Sequence, residues 1–204
     1  MLDGYNRTTN MVFEVLQDPR IRRLNFSVAN YKFEPHHYAR LYFELLRGKV
    51  TAEFDPKEKD TAGYNPLNDT LYFGFENLEF LDYKAAIVHE CTHAICDMRG
   101  LTLMDQTASE MAAYIAQFMF YSAHIPKSRR GTAEFSPGGE NNIGSIAGAA
   151  WRIAHSNLCQ NDPHKPELAP GFGTNKDYAD LAEAIRASDL YEKKADKNVG
   201  YNGV

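Results

Sequence analysis

The spacing of apolar residues predicts helices towards both ends of the chain and a small sheet between them. Apolar residues recur every three to four positions in six segments. These segments predict helices over 9–16, 35–47, 82–99, 107–121, 143–158 and 176–187. Apolar and polar residues alternate over 50–54, and 70–73 has strand-forming composition, which predicts two strands. Helices, a sheet and then more helices predict an α+β fold.

The length of the chain predicts one domain over 1–204. Its 204 residues are 44% hydrophobic, which is enough for one well-filled core and short for two domains. Prolines and glycines interrupt the segment 125–142, which is either a flap over a cleft or a mobile loop. Residues from about 192 to 204 are polar, and we expect a flexible tail there.

Charge and cysteine content indicate which partners the protein can bind and in which compartment it is found. The net charge is −5 and the basic runs are short, which argues against nucleic acid as a partner. Cys91, Cys96 and Cys159 are an odd number without paired spacing, as in reduced intracellular proteins. The first residues do not form a signal peptide, and the longest apolar stretch, 111–123, is too short to span a membrane. We therefore expect a cytoplasmic protein that does not enter the membrane. Export without a signal peptide and the oligomeric state stay open.

One motif carries chemistry: His89-Glu90-Cys91-Thr92-His93, the pattern HExxH. Residues four apart on a helix share a face, so the two imidazoles can converge on one tetrahedral Zn²⁺. Glu90 lies about 100° round the helix and can take a proton from the attacking water. The motif therefore predicts one zinc ion per chain and peptide-bond hydrolysis with Glu90 as the base. The alternative is a helix with two core histidines and a surface glutamate, but burying these polar groups without a ligand is costly.

Two histidines leave room for a third protein ligand, and the best candidate is Glu110. This residue lies early on the next predicted helix, which a short connection allows to pack antiparallel to the first. Thr107 and Glu110 also match a capping box, in which the carboxylate bonds to the N-cap amide instead. The other candidate ligands are Asp97, Asp105, His124 and His155. Asp97 is otherwise expected to pair with Arg99 or to orient a metal-bound histidine.

At this point the sequence resembles zinc metallopeptidases of the gluzincin type, in which a Glu on the helix after HExxH completes the site. The metzincin pattern is excluded, because Cys96 and Arg99 stand where it requires Gly and His. Small bacterial peptidases of the ImmA/IrrE sort have a similar strand, HExxH helix and Glu helix. The resemblance covers 61–121 and implies a zincin-like fold: a small mixed sheet, an active-site helix and a glutamate helix behind it.

The resemblance also implies where a substrate binds and what the protein does. The segment Ala62-Gly63-Tyr64…Thr70-Leu71-Tyr72-Phe73 resembles the edge strand along which minimal zincins bind substrate. The expected substrate-binding residues are Leu71, Tyr72 and Phe73. Tyr114 and His155 are candidates for stabilising the transition state, although each is also compatible with a core position. The prediction is a zinc metallopeptidase acting on a protein or peptide. The alternatives are an inactive zinc-binding or regulatory domain, and a toxin or effector peptidase.

Overall fold

The computed structural model describes residues 4–59, 61–126, 145–160, 174–188, 201 and 203. Within them the fold is α+β, with six α-helices and two small sheets. The helices are α1 (Arg7–Leu16), α2 (Pro35–Leu46), α3 (Leu81–Met98), α4 (Gln106–His124), α5 (Ile146–Gln160) and α6 (Asn175–Arg186). The strands are β1 (Phe26–Val28), β2 (Tyr31–Phe33), β3 (Thr51–Phe54), β4 (Ala62–Asn65) and β5 (Thr70–Phe73). Short 3-10 helices occupy Pro19–Arg23 and Pro56–Glu58.

The six predicted helices are confirmed, with ends that differ by a few residues. Gly100 follows α3 with a φ of 62°, the left-handed conformation that ends helices and that glycine adopts readily. The start of α3 differs from the prediction: Phe80 occupies the N-cap position without a capping side chain, and Asp82 lies in the first turn. Past residue 126, the predicted flap at 125–142 lies outside the described residues.

The three-stranded sheet is mixed, as predicted, but its order corrects the predicted substrate strand. The order is β3-β5-β4, with β5 parallel to β3 and antiparallel to β4. Leu71, Tyr72 and Phe73 therefore lie in the central strand, where both neighbours occupy the backbone hydrogen-bonding edges. Leu71 and Phe73 point to the same face of the sheet and are fully buried, whereas Tyr72 on the opposite face is partly buried. The strands at the two edges of this sheet are β3 and β4, and β4 is the one that contacts α3 more extensively.

The second sheet is a hairpin that the sequence pattern did not predict. In it β1 and β2 pair antiparallel, with Phe26 opposite Phe33. Each strand has only three residues, which is too short for alternation to be visible in the sequence.

Helix α3 lies at the centre of the fold. It contacts α1, α2, α4, β4 and β5, and its residues are buried on nearly every face from Ala85 to Met98. Helix α4 packs along it and in turn contacts α5 and α6. Within the described residues, no helix has the length and apolar character needed to cross a membrane.

Candidate metal centre

Helix α3 presents the motif residues towards α4 and β4. His89 and Glu90 are each only 8% exposed, and His93 is partly buried. The helix is held from its opposite side, where the Tyr38 and Thr92 hydroxyls lie 2.9 Å apart in the core. Because α3 is packed on several sides, the histidines cannot turn towards solvent without disturbing the core.

His89, His93 and Glu110 form a compact group of metal-ligating atoms. The two Nε2 atoms are 3.3 Å apart. Glu110 Oε2 is 3.4 Å from His89 Nε2, and Glu110 Oε1 is 3.6 Å from His93 Nε2. A tetrahedral zinc ion with bonds of about 2.0–2.1 Å sets its ligand atoms about 3.3–3.4 Å apart. The group therefore has the composition and the spacing of a metal site, and within the described residues it is the one such group found.

Glu110 is available to a metal because a different residue caps α4. Asp105 is the N-cap, and its carboxylate accepts a hydrogen bond from the Ala108 amide at 2.7 Å. The capping box of Thr107 and Glu110 is therefore not formed. Gln106 Nε2 donates to Glu110 Oε1 at 2.6 Å, while Oε2 is buried and accepts no hydrogen bond within the described residues. A buried carboxylate oxygen left in this state is suited to a cation.

The charges of the group act on one another strongly. Burial acts to raise the pKa of Glu110, but the neighbouring histidines outweigh it and hold that pKa well below its usual range. Burial likewise acts to lower the pKa of His93, and the Glu110 carboxylate raises it instead. The ionised carboxylate thus supplies the negative charge that a metal cation needs.

An outer partner fixes the ring of His89. Its Nδ1 lies 2.9 Å from Gln117 Oε1, an amide oxygen that can only accept a hydrogen bond. Nδ1 therefore carries the proton, and the lone pair of Nε2 faces the metal position. The Tyr114 ring packs edge-on against the His89 ring, with centroids 4.6 Å apart. Tyr114 thus packs against His89, and it is not among the residues that line the cleft.

Two hydroxyls stand behind His93. Its Nδ1 lies 2.8 Å from Ser109 Oγ and 3.1 Å from the Tyr201 hydroxyl, and these two oxygens are 2.6 Å apart. Two residues of the predicted tail contact this part of the fold: Tyr201 is only 4% exposed, and the Gly203 amide donates to Asp97 Oδ1 at 3.0 Å. The rest of 192–204 lies outside the described residues.

The other candidate ligands lie in different surroundings. Asp97 is fully buried and accepts a hydrogen bond from the Tyr64 hydroxyl at 2.8 Å. His124 Nε2 is 3.3 Å from Asp18 Oδ2. His155 is buried on α5, with its ring 6.4 Å from the Trp151 ring. None of these belongs to the metal-ligating group, and Asp105 caps α4.

Glu90 lines the cleft without joining the ligand group. Its Oε1 is 4.0 Å from His89 Nε2, and burial raises its pKa. The cleft has a volume of about 270 Å³. It is lined by His89, His93 and Glu110 and by Glu90, Ala62, Gly63, Tyr64, Pro66, Gln106 and Tyr201. A second carboxyl group, that of Glu90, thus lies beside the metal-ligating group, with the edge strand β4 as the facing wall.

Sequence reasoning missed the residues that support the ligands. Gln106, Ser109 and Gln117 join Glu110 on the side of α4 that faces α3. Their spacing is itself a signal, because polar residues at helical intervals on an otherwise apolar helix indicate a buried polar site. Tyr201 gave no such signal. The thiols of Cys91 and Cys96 are free and buried, as the cysteine content predicted.

Comparison of this chain with family models, with curated proteins and with solved structures gives no match. The geometry and chemistry of the site are therefore what indicate a function.

Proposed function

We propose that this protein is a zinc metallopeptidase with a zincin-like arrangement of its active site. The observation that carries the proposal is the close approach of the ligand atoms. The two Nε2 atoms are 3.3 Å apart, and each lies 3.4–3.6 Å from one oxygen of the Glu110 carboxylate, close to the separation of about 3.3–3.4 Å between ligand atoms around tetrahedral zinc. Two neutral imidazoles and one carboxylate are a common ligand set of catalytic zinc, and they leave a fourth position open.

Glu90 has the position and the environment of a general base. When bound, zinc supplies Lewis-acid activation of a carbonyl group and of a water molecule. Glu90 takes a proton from that water as its oxygen attacks the carbonyl carbon. It then passes the proton to the amide nitrogen as the C–N bond breaks, so that the products are a carboxylic acid and an amine. The buried position of Glu90 suits this role, because burial moves the pKa of a carboxyl group towards neutrality.

Strand β4 is the surface along which we expect an extended substrate to lie. It is an edge strand, paired on one side with β5, and Ala62, Gly63 and Tyr64 line the cleft. An edge strand offers backbone groups to a peptide that adds as a further strand. This assignment replaces the central strand β5 of the original prediction.

The test combines metal content with cleavage of a peptide library, read by mass spectrometry. We expect about one zinc ion per chain in the wild type, and loss of zinc in His93→Ala. Glu90→Gln should keep its zinc and lose cleavage by about 10²–10⁴-fold, the usual contribution of general-base catalysis. Asp82→Asn, an exposed change on the same helix, is the matched control and should leave both unchanged.

The remaining outcomes separate the alternatives. Zinc in every active-site variant except His93→Ala, with no cleavage even by the wild type, would support a zinc-binding regulatory domain instead. A wild type that binds no zinc after reconstitution would overturn the proposal.

A further inference from the structure

Tyr201 packs against the metal centre although it lies 108 positions after His93 in the chain. Its side chain is 4% exposed, and its hydroxyl lies 2.6 Å from Ser109 Oγ and 3.1 Å from His93 Nδ1. Both contacts lie behind the His93 ring, on the side away from Nε2. The hydroxyl therefore does not reach the metal position.

The protons of these groups can be arranged in one consistent order when Nε2 holds a metal. Nδ1–H of His93 donates to Ser109 Oγ at 2.8 Å. The Ser109 hydroxyl can then donate its own proton to the Tyr201 oxygen, 2.6 Å away. With its proton directed to Tyr201, Ser109 accepts from Nδ1–H, and the two bonds fix both the tautomer and the orientation of the imidazole.

Gly203 makes a second contact, close to that of Tyr201. The Gly203 amide donates to Asp97 Oδ1 at 3.0 Å, and the Tyr64 hydroxyl donates to Asp97 Oδ2 at 2.8 Å. Asp97 lies one turn beyond His93 on α3. Tyr201 and Gly203 thus contact α3 at two points, His93 and Asp97, and Tyr201 forms one wall of the cleft.

We infer that Tyr201 is a positioning residue of the metal centre, which holds His93 through Ser109 and makes metal affinity depend on the docking of Tyr201 and Gly203. This inference rests on the proposed zinc site. It assigns Tyr201 no contact with substrate or metal, and it concerns binding rather than turnover.

The test is the zinc dissociation constant of the full chain, measured by competition with a chromophoric chelator. Tyr201→Phe removes only the hydroxyl and should weaken zinc binding by about 10–100-fold, as loss of a partner behind a metal-bound histidine does. Tyr5→Phe is the matched control, because the Tyr5 hydroxyl makes a similar bond, to Leu46 O at 3.0 Å, away from the site. We expect that control to bind within about twofold of the wild type, since it leaves the ligands' partners in place.

Two further measurements distinguish positioning from a general loss of stability. The visible spectrum of the Co²⁺-substituted protein should change in Tyr201→Phe and stay unchanged in Tyr5→Phe. The double variant Ser109→Ala/Tyr201→Phe should weaken binding by less than the product of the two single effects, because both residues act through one network. Wild-type affinity in Tyr201→Phe, or independent effects in the double variant, would overturn the inference. Failure of the wild type to bind zinc would instead overturn the proposed function.

Discussion

His89 and His93 present the same nitrogen to the metal position, but different parts of the protein hold them. Behind His89 stands Gln117, in the middle of α4 and 28 positions along the chain. Behind His93 stand Ser109, 16 positions away, and Tyr201, 108 positions away. The His89 end of the site is held within α3 and α4 alone, whereas the His93 end also needs the distant residue Tyr201.

The chemistry of the two ends differs as well. An amide oxygen accepts hydrogen bonds only, so Gln117 dictates the tautomer of His89 without further help. A hydroxyl can donate or accept, so Ser109 dictates the tautomer of His93 only when its own proton is committed elsewhere. Tyr201 provides that acceptor. The geometry of the His93 end therefore depends on a longer hydrogen-bond network than that of the His89 end.

Metal loading should give the largest effect. Free zinc at about 1,000 times its dissociation constant stabilises a protein by about 4 kcal/mol, which raises Tm by roughly 8–16 °C in a chain of this size. Hydrogen exchange should show that loading protects the Gly203 amide, because metal binding orders the His93 end. Glu110→Gln should abolish most of the Tm shift, and the exposed change Glu183→Gln should not. An unchanged wild-type Tm in zinc would contradict the metal site at both ends.

Substitution of Gln117 comes next, since it breaks the His89 end alone. Gln117→Leu should weaken zinc binding by about 10–100-fold, because His89 Nδ1–H loses its acceptor. Gln117→Glu should bind at least as tightly as the wild type, since a carboxylate accepts the same bond. Gln17→Leu is the control, as the amide of Gln17 bonds to Tyr42 away from the site. Chelator competition measures all three. If Gln117→Leu has no effect while Tyr201→Phe does, only the His93 end is held from behind.

Tyr64→Phe should have the smallest effect of the three, because it acts on the His93 end indirectly. Burial and the Asp97 and Asp69 carboxylates raise the pKa of Tyr64, so its hydroxyl remains a donor. Removing that donor costs about 1 kcal/mol, because the Gly203 amide still donates to Asp97. The Tm should fall by roughly 2–4 °C, with zinc affinity within about threefold of the wild type. A tenfold loss of affinity would show that Asp97 helps to orient His93 directly.

The ligand group could be predicted from sequence because its spacing is local. His89 and His93 are one turn apart on a single helix, and Glu110 follows on the next. Two consecutive helices joined by a short connection usually pack against each other. The competing role of Glu110 in a capping box could not be decided in advance, because Asp105 and Thr107 both suit an N-cap.

Strand order and the Tyr201 contact could not be predicted for a common reason. The period of apolar residues tells which face of a strand is buried, but not which strands lie beside it. Burial of Leu71 and Phe73 fits a central strand and an edge strand with one covered face equally well. A tyrosine in a polar segment likewise gives no periodic signal of the pocket that receives it. Both features are set by packing between distant segments.

Because Tyr201 lies far beyond His93 in the chain, we expect the metal site to form in stages as the protein is synthesised. A chain emerging from the ribosome can pair α3 with α4 early, because a short loop closes at low entropic cost. The three ligands then exist before residue 201 has been synthesised. We expect the nascent protein to capture zinc weakly at first and to retain it firmly only after Tyr201 docks. As the full chain refolds in the presence of zinc, the rate constant of zinc release should therefore fall in two steps.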